Sequence, residues 1–576
     1  MMKKFKIYYI LHFLISIILI LVTSNCQTEN WKSHRQEYSS GVIANNAMVV
    51  SAHPLASKVG MGILKKGGNA IDAAIAVQFA LSVVYPAAGN IGGGGFMVIR
   101  KYDSRIYSLD FREKAPLKGS RDMYLDSNGQ VIEDLSRIGH FASGVPGVVD
   151  GMEKAHQKFG TIEWTELIQP AIDLARNGFP LTRKEAVGLN NNRKAFIEAN
   201  TISPDFVLKE EWIASDTIRY ADLAETLVRI KNNKRAGFYE GHTADLIVAE
   251  MQRGDGLISY EDLSSYEAIW RDPIVGHYKD FKIISMGPPS AGGISLVQLL
   301  QMLESFPLSE YDLDEAEYIH LLAETEKRVY ADRAMHLGDM DFYDVPIIQL
   351  LDGKYNKNRI ADFDPENAKP SDNVFAGELT MKESMETTHF SIVDQFGNAV
   401  AVTTTLNGGY GSKVFVAGAG FLLNNEMDDF SLKPGVPNMF GLIGGEANAI
   451  VPGKRMLSSM TPTIVEKNGD LFMVIGSPGG SKIITSVLQS FLNVVEFGQN
   501  MQEAVTYKRF HHQWKPDHIM FESGRMDDEV KEDLLVMGHK LMVRGPYSRV
   551  DAILVLKDGR LEGGADPRGD DAASGF

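Results

Sequence analysis

The sequence predicts an α+β protein of layered helices and sheets. Three features carry that expectation. The segment AIDAAIAVQFALSVV, residues 70–84, is apolar nearly all round, as a helix trapped between two layers must be. The middle of the chain, from about 145 to 335, reads as mostly helical with a strand near 275–286. After residue 387 the pattern changes to short alternating runs separated by turn residues, the signature of strands and hairpins.

Taken in order, the body is expected to begin near Met48, behind a polar tether at 27–47. Residues 54–84 are helical, broken by Gly67-Gly68-Asn69, residue types that tolerate a left-handed helix end. GNIGGGGFMVIR then turns into a strand, and 105–111 forms another. An amphipathic helix is expected over 313–333, with Tyr318, Leu321, Leu322 and Val329 on one side. Residues 352–386 are polar and poorly periodic, a loop long enough to be functional or mobile. THFSIV and AVAVTTT follow as paired strands around QFGN, and FLLNN, TIVEKNGDLFMVIGSP and DAILVLKDGRLEGG read as further strands and hairpins.

Bulk chemistry narrows the function. With 58 Lys+Arg against 74 Asp+Glu the net charge is −16, and no basic run occurs beyond the first six residues, which argues against a nucleic-acid partner. Those six precede an apolar stretch, Ile7–Val22, too short for a comfortable membrane span, with Thr23, Ser24 and Asn25 behind it. The pattern is that of an export signal (residues 1–26), a retained anchor being the alternative. The single cysteine, Cys26, resembles the lipidated cysteine of a bacterial lipobox, although Thr23 stands where that motif has Leu. Lipidation and plain cleavage nearby both remain open. Either way the working protein is expected outside the cytoplasm, periplasmic or extracellular, and its body has no disulfide or thiol chemistry.

Several motifs invite chemistry they do not carry. GNIGGGG lacks the Gly-Lys-Ser/Thr of a phosphate loop and leads into a strand. Ser477 lacks the Gly two residues upstream that a nucleophile elbow needs; Ile475 stands there. His511 and His512 are neighbours on a strand, so they face opposite ways and are read as packing groups, with no metal expected.

The motifs GGNAIDAAIAV, GNIGGGGFM, DFREKAP, TTHFSIVD, NNEMDDFS, MLSSMTPT, GSPGGS and RFHHQW occur in the order found in γ-glutamyltranspeptidases, and from Met48 to the C-terminus the chain resembles that family of N-terminal nucleophile hydrolases. The resemblance implies a four-layer αββα fold. It also implies a precursor that cuts itself between Glu386 and Thr387 into a large fragment (48–386) and a small catalytic one (387–576), which stay together as a heterodimer. Taken alone, Thr387 is a β-former at a strand start. Freed as an N-terminus, its α-amine, of pKa near 7.7–8.0, can act as base for its own hydroxyl. The implied reaction is transfer of a γ-glutamyl group from glutathione or related amides to water, an amino acid or a short peptide, with no cofactor.

Further roles follow from the resemblance. Thr405, on one strand face with Ala399, Ala401 and Thr403, steadies the nucleophile; a cross-strand Thr pair is the plainer reading. Gly479 and Gly480 form the oxyanion hole. Arg112, Ser458 and Ser459 hold the donor's α-carboxylate, while Asn407, Glu426 and Asp429 accept from its ammonium. Glu426 stands where some bacterial members have Gln, and Phe440, in a lid segment at 433–448, where many have Tyr, which implies a looser lid. A β-lactam side-chain acylase, a poly-γ-glutamate depolymerase and an uncut peptide-binding lipoprotein are the competing readings.

Overall fold

The computed structural model describes residues 40–377, 388–433, 436, 438–439, 441–442 and 446–576. The export signal, Cys26, the proposed cut at Glu386–Thr387 and Phe440 lie outside the described residues.

Two antiparallel seven-stranded sheets form the centre. The first runs, edge to edge, Ala572–Gly575, Met48–Ser51, Thr388–Val393, Ala399–Thr405, Gly94–Arg100, Ile106–Asp110 and Ile269–Arg271. The second runs Val42–Ala44, Leu561–Gly564, Asp551–Val555, Asp470–Gly476, Thr463–Lys467, Phe281–Ser285 and Ile274–Tyr278. The sheets pack face to face, with Thr388–Val393 lying on Asp470–Gly476 and Asp551–Val555. Helices Pro54–Lys65, Ala70–Val84 and Val148–Phe159 cover the outer face of the first sheet, and Gly292–Leu303, Lys482–Val495 and Met501–Thr506 that of the second. This is the expected αββα arrangement.

Strand patterning explains the layers. In the first sheet Val49, Met97, Ile99, Phe390, Ile392, Val400 and Val402 belong to the helix-side core. Their alternating neighbours Met48, Val50, Phe96, Val98, Ala399 and Ala401 belong to the core shared with the second sheet. Both faces are therefore dry, and period 2 sorts each strand between two cores. Every residue of Ala70–Val84 is buried, as its uniform apolarity requires.

Some expectations need correction. The body begins before Met48, because Val42–Ala44 already pairs with Leu561–Gly563. Asn69 does not end the preceding helix; it caps the next one in a reciprocal box with Asp72, while Gly67, at φ +92°, makes the turn. The helix over 313–333 runs from Ala316 to His336 and is buried on nearly every side, so it is not amphipathic: Glu324, Arg328, Asp332 and Arg333 are inside with its leucines. Its polar residues misled the periodicity because they pair internally instead of facing water. FLLNN forms only an isolated bridge, Phe415 to Leu422. The stretch 352–377 is not structureless: it contains the helix Gly353–Ile360.

Residues 364–377 are tied to the body along their length. Ala368 N–H donates to Met537 O, Lys369 N–H to Glu324, and Trp514 Nε1 to the carbonyls of Ser371 and Val374. Gly377 N–H donates to Asp332 Oδ1 at 3.0 Å, and its carbonyl meets His336 Nε2 at 3.0 Å.

Candidate active site

The site begins at one end of the central hairpin. Thr388 pairs with Thr404, His389 with Thr403 and Ser391 with Ala401. His389 and Ser391 lie between the sheets: the imidazole meets Thr403 Oγ1 at 2.9 Å and Ser391 Oγ at 3.0 Å, and Ser391 donates to Asp551 O. Burial pushes the His389 imidazole down to about 3, so it works as a neutral spacer. Room for its ring comes from Gly476, where a Cβ would stand 2.3 Å from ring atoms.

Next to the hairpin, the glycine-rich segment has a steric purpose. A Cβ on Gly93 would lie 2.0 Å from Thr405 O, and one on Gly94 would lie 2.6 Å from Glu113 Oε2. Glycine thus lets the strand Gly94–Arg100 and the DFREKAP segment close on Thr405, the reason this is no phosphate loop. Thr405 Oγ1 accepts from Asn407 N–H at 2.7 Å, and the Glu426 carboxyl also meets the Thr405 side chain. Asn407, in the left-handed region at φ +68°, donates from Nδ2 to Asn425 O, and its buried Oδ1 has no partner among the described residues.

Arg112 is fully buried at the centre of this cluster. Nη1 lies 2.7 Å from Glu426 and 3.4 Å from Glu113, Nη2 donates to Asp429 Oδ2 at 2.5 Å and to Leu457 O at 3.3 Å, and Nε donates to Met456 O at 3.3 Å. Four of the five guanidinium N–H groups thus have hydrogen-bond acceptors, and Glu426 is held against Nη1 as an ion pair. Burial opposes the Arg112 charge, but Glu426, Glu113 and Asp429 together outweigh it and hold the group above its ordinary range. The converse holds for the acids. Burial pushes Glu113 and Glu426 up to about 8 each, against the pull of Arg112, and Asp429 upward as well. Three carboxyls around one guanidinium cannot all be ionised in a dry site, so at least one retains a proton at neutral pH.

NNEMDDFS is no solvated acidic loop. Asn424 bridges Gly92, Gly144 and Glu426 through its amide, Asn425 Oδ1 accepts from Gly408 N–H, and Asp428 accepts from Ser136 and from Met439 N–H. The motif thus fastens the Arg112 cluster, and with it Met439, to the glycine-rich segment.

Ser458 and Ser459 continue from the backbone that accepts from Arg112. Ser458 N–H donates to Pro289 O at 2.8 Å, and its Oγ accepts from Met460 N–H at 3.2 Å. Ser459 Oγ accepts from Arg333 Nη2, a buried guanidinium that the sequence reading missed. Arg333 also faces Asp429 and the Tyr330 ring, and burial pushes it down to about 9. Glu113, adjacent to Arg112 in DFREKAP, was missed too. A run of ionisable residues inside an otherwise apolar helix was the signal for Arg333.

Gly479 and Gly480 lie in the loop between strand Asp470–Gly476 and helix Lys482–Val495, at φ +132° and +66°. Among the described residues neither N–H has an acceptor, and the helix start places its dipole behind them. Ser481 O accepts from Tyr330 OH, which links this loop to the Arg333 helix. The structure therefore joins Arg112, Thr405, Glu426 and Asp429 in one cluster, sets Asn407, Ser458 and Ser459 around them, and reaches the glycine loop through Tyr330. Ser477 Oγ donates to Pro478 O. His511 and His512 are both buried, with Thr485 and Gln513 on the first and Asp517 and Trp514 N–H on the second. The metal-like grouping among the described residues lies elsewhere, at His320, Glu324 and His539, where Glu324 is already paired with Lys327 and Arg328.

The model of the gamma-glutamyltranspeptidase family matches residues 56–576. The glutathione hydrolase proenzyme of Escherichia coli K12 is 45% identical over 538 residues, covering 93% of each chain. The crystal structure of a cephalosporin acylase from Bacillus halodurans superposes with a TM-score of 0.82 at 25% identity, over 95% of this chain and 99% of that one. A Helicobacter pylori gamma-glutamyltranspeptidase chain gives a TM-score of 0.55 at 42% identity; 97% of it is matched by 59% of this chain.

Proposed function

The chain belongs to the gamma-glutamyltranspeptidase family, and from that premise we propose that it is a glutathione hydrolase and γ-glutamyltransferase that matures by cutting itself between Glu386 and Thr387. The observation that carries the site assignment is the meeting of Arg112, Glu426, Asp429 and Thr405 in one buried cluster beside the hairpin that opens at Thr388. Thr405 lies on the strand face of Thr403, which touches His389 in the same hairpin. The 59% match to the H. pylori chain, about the share taken by residues 48–386, supports a two-fragment product.

In maturation the Thr387 hydroxyl oxygen bonds to the Glu386 carbonyl carbon, the peptide C–N bond breaks, and the nitrogen takes a proton to become a free amine. Water then hydrolyses the ester. In turnover that amine accepts the Thr387 hydroxyl proton as the oxygen attacks the γ-glutamyl carbonyl. The N–H groups of Gly479 and Gly480 stabilise the oxyanion, and the proton passes to the leaving amine. The resulting threonyl ester is released by water, an amino acid or a short peptide. Asn407 Oδ1, Glu426 and Asp429 offer acceptors to the donor's ammonium, while Arg112, Ser458 and Ser459 face its carboxylate. Binding therefore exchanges some contacts of the Arg112 fork for the donor's. The segment 7–22 supports export, with Cys26 as a lipid anchor or the neighbour of a cleavage site.

N-terminal sequencing and intact mass of purified protein test the scheme: a fragment starting at Thr387 is expected, and a single full-length mass overturns it. Rates on a γ-glutamyl anilide and a glutaryl amide separate this activity from an acylase; the amine-lacking glutaryl donor is expected to be the poorer.

A further inference from the structure

We infer that Arg333 is a positioning and specificity residue for the donor's α-carboxylate, acting through the Ser459 hydroxyl. The inference rests on the γ-glutamyl reading above and adds to it a group on the large fragment that the sequence motifs do not contain.

Four of the five N–H groups of Arg112 already have acceptors, in Glu113, Asp429 and the carbonyls of Met456 and Leu457, and Glu426 sits against Nη1 as an ion pair. Its charge is matched by the same carboxyls that the donor's ammonium would use. The donor's ammonium goes to these acids, which also meet the charge of Arg112, so in a dry site its carboxylate is best served by a further cation.

Arg333 is such a cation. It is fully buried on the helix Ala316–His336, it donates to Ser459 Oγ, and it attracts Asp429. Asp429 therefore answers to two guanidinium groups, Arg112 and Arg333. The hydrogen bond also fixes the direction of the Ser459 hydroxyl: with its oxygen accepting from Arg333, its proton is free to point at a ligand oxygen. Ser459 becomes an oriented donor with a positive charge behind it. The helix is held firmly enough for this, since Arg328 pairs with Glu324 at 2.7 Å, Arg359 with Asp332 at 2.8 Å, and Tyr330 with Ser481 O. These bonds fix Arg333 between the clamp and the glycine loop.

The test compares two donors, a γ-glutamyl anilide with a free α-carboxylate and the same anilide as its α-methyl ester, on wild type, Arg333→Met and Arg333→Lys. Each protein is first checked for the cut on a denaturing gel. For Arg333→Met, KM for the free acid is expected to rise about 10- to 100-fold, the range of one charge-assisted hydrogen bond, with kcat within about threefold and the ester's KM nearly unchanged. Arg333→Lys keeps the charge and should lose about three- to tenfold on the acid alone; it also serves if Arg333→Met fails to mature. In the Arg333→Met/Ser459→Ala double variant the KM penalties should be markedly less than multiplicative, because one acts through the other. Equal losses on acid and ester, fully multiplicative penalties, or an unchanged KM for the acid would each overturn the assignment. A wild-type protein inactive on both donors would instead overturn the γ-glutamyl reading beneath it.

Discussion

Replacing Gly479 by alanine puts the loop proposed to hold the oxyanion under a defined load. The residue sits at φ +132°, where an L side chain is strained by about 1–3 kcal/mol. Its new Cβ would stand 2.0 Å from Ser548 Oγ, 2.9 Å from Ser548 Cβ and 3.0 Å from Ser548 Cα. The last of these is a backbone atom, so turning the serine side chain away cannot relieve the crowding. The loop must rotate its peptide planes, which turns the Gly479 or Gly480 N–H from its present direction. Losing one oxyanion donor costs about 2.7–4 kcal/mol, or about 10²–10³ in rate. Gly479→Ala is therefore expected to lower kcat by about 100- to 1000-fold while KM moves less than about threefold, because the clamp residues lie on other segments. The assay is chromophore release from a γ-glutamyl anilide by matured enzyme, with thermal unfolding as a control for folding. Adding Ser548→Gly removes the crowding by the serine side chain but leaves the backbone clash and the φ strain, so about tenfold of the loss should return. A kcat within about twofold of wild type in Gly479→Ala would refute the reasoning, since the direction of that N–H would then be immaterial.

Other expectations are briefer. Thr387→Ala should leave one uncut, inactive chain on a denaturing gel; normal cutting would end the self-processing scheme. Glu113 binds its proton more tightly in the fold than in the unfolded chain, so between about pH 4.5 and 8 stability falls as pH rises. Glu113→Gln should therefore gain more in Tm at pH 8 than at pH 5, and an equal shift at both would contradict the assigned protonation. His389 has the opposite sense: neutral in the fold down to about pH 3, it costs stability as pH falls from about 6.5. Replacing it by glutamine should flatten that acid limb of the Tm–pH curve. Glu426→Gln removes a carboxyl from the Arg112 ring and should weaken donor binding by about three- to tenfold in KM; an unchanged KM would remove Glu426 from the ammonium site.

Legibility followed burial chemistry. The hairpin Thr388–Thr405 and the helix Ala70–Val84 were readable because period and apolarity are local properties of the chain. Motif order singled out Arg112, Thr405, Glu426 and Asp429, which the fold brings into one cluster. Which carboxylate touches which guanidinium was not, because Arg112 and Asp429 meet across 317 positions of sequence. Arg333 and Glu113 escaped for a related reason. In the helix Ala316–His336 the ion pairs are internal, so charge, normally the mark of a solvated face, marks the interior instead. The same rule hid the extent of the body's first strand, since Val42–Ala44 is recruited by Leu561–Gly563 and not by anything near it.

The strand order itself has a consequence for what a severed chain can do. Both sheets hold strands from either side of residue 386, hydrogen-bonded to one another: Met48–Ser51 is flanked by Ala572–Gly575 and Thr388–Val393, Gly94–Arg100 clasps Ala399–Thr405, Val42–Ala44 pairs with Leu561–Gly563, and Phe281–Ser285 clasps Thr463–Lys467. One broken peptide bond removes no rung from these ladders. Dilution would find nothing to pull apart, because the two pieces would share each sheet as fingers share a clasp. Letting go and losing the native state would be a single event, and pieces once parted would have to rebuild both sheets before either became an enzyme again.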